Sequence, residues 1–256
     1  MLRNRIIFSL IYSDGGFMQS RNFRLQRVGD INWLEKNYKF QQIAGSLDEL
    51  IVVDATRNIK DLGAFSAVVS RLVEDVFIPV TAGGGIRKIQ DAEALFNSGA
   101  DKIILNSALV KDPKLVTTIV ERYGSQSLVA SIDYKIINNE PVIFIEDGST
   151  KIDQTLESYI DFLHSLNVGE VYLNSIDQDG TGFGYDFETI NSYAKSFSMP
   201  LIVAGGAGNE KHLLEAIEID NVAAVATANL FNFVGNGLPN ARKYMIEENS
   251  NLANWG

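Results

Sequence analysis

Val80–Ser107, VTAGGGIRKIQDAEALFNSGADKIILNS, recurs in altered form as Ile202–Asn229, IVAGGAGNEKHLLEAIEIDNVAAVATAN. Each copy runs from an apolar strand into a Gly-Gly turn, through an amphipathic helix, and into a second apolar strand that closes on a small polar residue. Gly83 recurs as Gly205, an offset of 122 residues, about half of the 256-residue chain. A repeat this long predicts two similar halves of four strand–helix units each, about 1–122 and 123–256. Eight such units in one α/β domain make a (β/α)8 TIM barrel, which routinely takes ~250 residues as a single domain.

Composition agrees with a globular core, at 46% hydrophobic and 21% charged residues. A formal net charge of −10 argues against nucleic acid as the main partner, because phosphate backbones call for a basic face. The chain has no cysteine, which removes disulfides, thiolate metal sites and any cysteine nucleophile, and points to a reducing, cytoplasmic compartment. The opening MLRNRIIFSLIY is too short an apolar run for a signal peptide and flows into the turn Ser13-Asp14-Gly15-Gly16. No apolar stretch reaches the ~18 residues that would span a membrane.

Arg5–Leu10 reads as the first strand, buried on both faces, and Ile11–Gly29 as a long loop before a helix over Ile31–Ile43. Leu50–Val53 is the second strand and Leu62–Val73 its helix; Pro79 introduces the third strand, and Pro113–Tyr123 is a helix with proline in its first turn. Leu128–Tyr134 is strand five, followed by an inserted hairpin around Asn138-Asn139 and a helix over Thr155–Leu166. Glu170–Asn174 is strand six. A loop rich in glycine and acid follows, Asp186 caps a helix through Phe197, and Pro200 opens strand seven. A last helix from Leu238 frays into Asn249–Gly256.

In such a barrel the functional groups lie where the strands end. The candidates are Ile11, Asp54, Gly83, Gly84, Gly85, Asn106, Ser107, Asp133, Asn174, Asp179, Gly180, Gly205, Gly206, Ala228 and Asn229. A Gly-Gly turn opening onto a helix lets backbone N–H groups approach an anion that the helix dipole favours. One such turn serves equally well for tight backbone geometry alone; two matched turns favour two phosphate sites, at opposite sides of the mouth, for a ligand phosphorylated at both ends. Asp133 ends an apolar strand and suits a general acid or base. Its equivalent one repeat earlier is Ile11, so the acid has no counterpart across the barrel. Asp54, Asp177 and Asp179 orient loops or touch substrate. No metal site or cofactor is expected: His164 and His212 sit singly in helices, as surface residues.

The runs RII at Arg5–Ile7, DEL at Asp48–Leu50, AGGGIR at Ala82–Arg87, GADKI at Gly99–Ile103, NSA at Asn106–Ala108, SID at Ser131–Asp133, SIDQDGT at Ser175–Thr181, GYD at Gly184–Asp186 and GGAG at Gly205–Gly208 carry a resemblance. Nearly end to end, the chain resembles the cyclase subunit of imidazole glycerol phosphate synthase, a (β/α)8 enzyme of histidine biosynthesis built from duplicated half-barrels. The resemblance implies a separate glutaminase subunit on the amino-terminal face of the barrel, with ammonia passing through its centre. It also implies an ammonia gate of alternating charges at the starts of strands one, two, four and six, here Arg5, Glu49, Lys102 and Glu170.

The active end departs from that family. Its two catalytic aspartates end strands one and five, and a lysine in the first loop closes over the substrate. Asp133 matches the second acid, but the first is Ile11 and the lysine position holds Gln19. Isoleucine exchanges no proton, and losing a general acid–base costs ~10²–10⁴-fold. Asn174 and Asn229 stand where the family has smaller hydroxyl residues. A kept gate with a lost acid resembles cyclase-like paralogues encoded with bacterial surface-polysaccharide genes. These imply ammonia delivery to a third protein that turns an acetamido group of a nucleotide-linked sugar into an acetamidino group. The alternatives are a working cyclase that yields imidazole glycerol phosphate and an aminoimidazole nucleotide, and a non-catalytic scaffold that activates the glutaminase.

Overall fold

A short run of branched apolar residues with no polar face is stable only where both faces are covered, one by a barrel interior and one by helices. That is the environment the chain builds. The computed structural model describes residues 3–38, 44–229, 232–233 and 235–253. Eight parallel strands form the barrel: β1 (Arg5–Ser13), β4 (Glu49–Asp54), β5 (Val80–Gly83), β6 (Lys102–Leu105), β7 (Leu128–Ile137), β10 (Glu170–Ser175), β11 (Leu201–Ala204) and β12 (Val222–Thr227). Neighbours pair in chain order, and β12 closes on β1 with Arg5 opposite Ala224 and Phe8 opposite Thr227.

Alternation along each strand decides what meets the axis. On β1, Ile6, Phe8 and Leu10 join the core between sheet and helices. Ile7 joins a smaller interior cluster with Ile51, Ile104, Val129, Ile202, Ala204, Ala224 and Ala226. The helices that cover the sheet include α2 (Leu62–Asp75), α3 (Ile89–Asn97), α5 (Pro113–Tyr123), α6 (Leu156–Ser165) and α8 (Glu210–Ile217). Their starts are written in the sequence: the side chains of Asp61, Asp112, Thr155 and Asn209 each accept a backbone N–H of the first turn.

The expected loop over Ile11–Gly29 is instead mostly an antiparallel ribbon. β1 runs on to Ser13 and turns into β2 (Gly16–Arg21), which pairs with β3 (Arg24–Gly29). The hairpin expected at Asn138-Asn139 is present, with β7 running to Ile137 and pairing with β8 (Glu140–Ile145), which in turn pairs with the two-residue β9 (Thr150–Lys151). The first helix, α1, covers Ile31–Tyr38, and 39–43 lie outside the described residues. The helix begun at Asp186, α7 (Phe187–Tyr193), stops four residues before Phe197, which is buried after a single 3₁₀ turn. The described part of the tail is docked rather than frayed. The guanidinium of Arg242, on the last helix α9 (Gly237–Glu247), donates to the Ala253 carbonyl at 2.5 Å and to Asp48, and Leu252 bridges Asn4.

Candidate functional site

The strand ends open into a cavity of about 1110 Å³. Its walls include Asp133, Ile11, Asp54, Gly84, Gly85, Asn106, Ser107, Asn174, Asp179, Gly180, Gly205, Gly206, Ala228 and Asn229, so nearly all the candidate residues share one space. Gly83 does not line it. Gly83 lies in the sheet, where a side chain would collide with the Ile104 carbonyl, so packing alone requires glycine there.

Both Gly-Gly turns need glycine for the same reason. Gly84 has φ +104° and passes so close to Asp54 that a Cβ would sit 2.2 Å from its carbonyl oxygen. Gly206 has φ +110° and the corresponding place is 1.9 Å from the Gly184 carbonyl. The turns are alike in backbone, but their surroundings differ. The cations on the cavity wall, Arg57, Lys60, Arg87 and Lys111, all come from the first half of the chain. Lys60 lays its stem across Gly85 and donates to the Asp54 carbonyl, with its Nζ 3.6 Å from the Asp54 carboxylate.

Asp133 is gripped by its two neighbouring strands. Asn174 donates to one carboxyl oxygen at 3.0 Å and Asn106 to the other at 3.2 Å. The same Asn106 amide also donates to the Ser131 carbonyl at 3.1 Å. Burial pushes the Asp133 carboxyl up to about 7, against the Asn174 hydrogen bond and with help from the charges of Asp147 and Asp179. A carboxyl titrating there can both give and take a proton near neutral pH.

The ribbon β2–β3 forms a lid. Asp179 accepts the Ser20 hydroxyl at 2.5 Å and the Phe23 N–H at 3.0 Å, and the Asn22 N–H donates to the Asp179 carbonyl. Arg57 reaches across to the Phe23 carbonyl. Asp179 thus orients a loop, as does Asp177, which accepts the Ile136 N–H. Gln19, at the lid position where the resemblance implies a lysine, lines the cavity and donates to the neighbouring Ser20 carbonyl. Asn229 accepts the Asn232 N–H at 3.0 Å. His212 departs from expectation: it is half-buried, and its Nδ1 accepts the Gly208 N–H at 3.2 Å, which ties the helix to the second Gly-Gly turn. His164 is exposed and meets Ser198.

At the opposite end Arg5, Glu49, Lys102 and Glu170 close a ring. Arg5 pairs with Glu49 and with Glu170 at 3.0 Å, and Lys102 pairs with each glutamate at 3.1 Å. Burial works against the Arg5 charge, but the two glutamates outweigh it and raise its pKa. Between ring and cavity lies the apolar interior cluster, and above it the Tyr172 hydroxyl meets Ser9 at 3.2 Å on the cavity floor.

The strand-end rule missed Arg57 and Lys60, which lie only three and six residues beyond Asp54, and Asp147 in the inserted hairpin, which also lines the cavity. A wider window after each strand would have found the first two. Asp147 needed the hairpin's fold-back.

The sequence profile of the family described as "Histidine biosynthesis protein" matches residues 7–235. A protein of Parasynechococcus marenigrum, provisionally named imidazole glycerol phosphate synthase subunit hisF2, is 44% identical over the whole chain and 95% of its own length. Imidazole glycerol phosphate synthase subunits HisF of Chlorobaculum parvum and of a Hydrogenobaculum species are 35% and 33% identical, each over 97% of this chain and 98% of the relative. With the closed eight-stranded barrel and its paired Gly-Gly turns, these matches establish that the chain belongs to the histidine biosynthesis protein family, among the HisF-type cyclase subunits of imidazole glycerol phosphate synthase.

Proposed function

We propose that this chain is the ammonia-receiving subunit of a glutamine amidotransferase complex, serving amidation of a sugar in surface-polysaccharide biosynthesis. A glutaminase would dock on the face that carries Arg5, Glu49, Lys102 and Glu170. The observation that carries the reading is the contrast between the two ends of the barrel: a closed ring of alternating charges at one, and Ile11 on the cavity wall at the other. Moving Lys102 or Arg5 would open the ring onto the apolar layer of Ile7, Ile51 and Ile104. Such a layer passes neutral ammonia far more readily than ammonium, because an unpaired charge is costly to desolvate. A phosphorylated small-molecule ligand suits the cavity, with the Gly84–Gly85 turn and its cations at one end and the Gly205–Gly206 turn at the other. With isoleucine in place of one acid, two-acid cyclisation is not the chemistry this cavity favours, and ammonia is passed to an acetamido-to-acetamidino conversion on a third protein.

A second reading keeps the reaction inside the barrel, as cyclisation of the family's phosphoribosyl-formimino-carboxamide ribonucleotide. The near-neutral carboxyl of Asp133 supports it, since a buried acid tuned to that range serves proton transfer. The purified chain supplied with this ribonucleotide and ammonium salt, followed by chromatography of the products, separates the two. Little or no turnover is expected from the chain itself, and a gain of ~10²-fold or more from Ile11→Asp. Turnover at the rate of an ordinary cyclase in the unmodified chain would overturn the first reading.

A further inference from the structure

We infer that Asp147 is a second proton-transfer group of this cavity, working with Asp133. The inference rests on the second reading, in which ammonia reacts inside the barrel. Asp147 sits at the apex of the turn between β8 and β9, and that apex is held from several sides. The Glu146 N–H donates to Ser107 at 3.1 Å, the Glu146 carboxylate takes the Lys111 ammonium and the Thr150 hydroxyl, and its carbonyl accepts the Ser149 hydroxyl. Lys135 donates to the Gly148 carbonyl, and Gly148 packs against Phe23 of the lid and Ile176. Glu146, Asp147 and Gly148 are all left-handed, at φ 53°, 55° and 75°. Two non-glycine residues in a row there cost conformational energy, and here the anchors hold them in place.

The held apex puts a carboxylate on the wall of the space that Asp133 and Ile11 share. Around Asp147 stand Lys60, Arg57, Asp54 and Glu146; around Asp133 stand Asn174, Ser131, Asn106 and Asp179, and the charge of Asp147 reaches Asp133. The surrounding protein raises the Asp147 carboxyl above its ordinary value, opposed by Lys60 and Arg57. The two acids thus meet different surroundings, Asp133 clasped by amides and Asp147 facing cations, which is how one site keeps a proton donor beside an acceptor.

Attack of ammonia on an electrophilic carbon forms a C–N bond and leaves a surplus proton on nitrogen. Asp147 takes that proton as a carboxylate. Asp133 gives its proton to the departing oxygen or nitrogen as its bond to carbon breaks. One proton enters and one leaves, and cavity water restores both acids.

Asp147→Asn is the decisive variant, because asparagine accepts a left-handed turn as readily as aspartate and the hairpin anchors are untouched. Carboxyl-¹³C aspartate titration of the intact chain reads Asp133 without any substrate, and turnover with the ribonucleotide and ammonium salt reads the chemistry. Expected are an Asp133 midpoint lowered by about half a pH unit or more and, on the second reading, a kcat that falls about 10²-fold from that of the unmodified chain with KM little changed, partly restored by Asp147→Glu. An unmoved Asp133 midpoint overturns the pairing, as does full turnover in Asp147→Asn. If the unmodified chain shows no turnover, the second reading fails on its own, and the midpoint still decides whether the two acids are coupled.

Discussion

Burial acts strongly on Asp133. Its carboxyl is buried beneath two amides, so the folded state holds a proton near pH 7 that the unfolded chain releases near the ordinary carboxylate range. The sign follows from linkage: this stabilisation is complete in acid, and it is lost as the pH rises through about 7. Asp133→Asn removes that dependence. Melting curves from pH 5 to 8 should show the unmodified protein losing on the order of 5 °C more than the variant across the interval. Equal slopes would mean that Asp133 ionises in place without cost. That Asp133 is a site residue was legible in the sequence, because VASID puts an acid at the end of an apolar strand. Its partners were not, since Asn106 and Asn174 lie 27 and 41 residues away and reach it only through the register of the strands.

Among the elements, the barrel strands could be read from apolar runs and the helices from their capping residues, because each signal is local. The lid could not. β3 is RLQRVG, half of it exposed, and it pairs with β2, whose end and following turn are fastened to the loop after strand six. Its latch is Asp179, whose buried carboxylate accepts Ser20 and Phe23 at once. Asp179→Ala should release the lid with little effect on the barrel. Hydrogen exchange over residues 16–29 should quicken about tenfold, with barrel strands unchanged. Uniform quickening would mean instead that the acid supports the whole fold.

For the whole molecule, the two halves of the chain contribute different chemistry to one barrel. The first half holds the cations of the cavity, and the second holds Asp133 and the latch. The charge ring at the far end joins both, through Arg5, Glu49 and Lys102 from one and Glu170 from the other. Its four positions were legible only by resemblance, since charges at the start of barrel strands ordinarily serve stability. Lys102→Ala, tested with a partner glutaminase, should lower glutamine-driven product at least tenfold while product formed from external ammonium stays the same. Equal loss with both nitrogen sources would assign the ring to stability.

If ammonia travels along the barrel axis, as proposed, it meets the Tyr172–Ser9 contact on its way. It joins the first and sixth barrel strands beside the cluster of isoleucine, valine and alanine, so a molecule travelling there would exchange one hydrogen bond for another as it passes. Such a crossing selects by bonding capacity as well as by size. Ammonia, at once donor and acceptor, can replace either hydroxyl, whereas an inert molecule of equal size would have to break the contact uncompensated. The barrel's axis would then work as a turnstile that admits one hydrogen-bonding guest at a time.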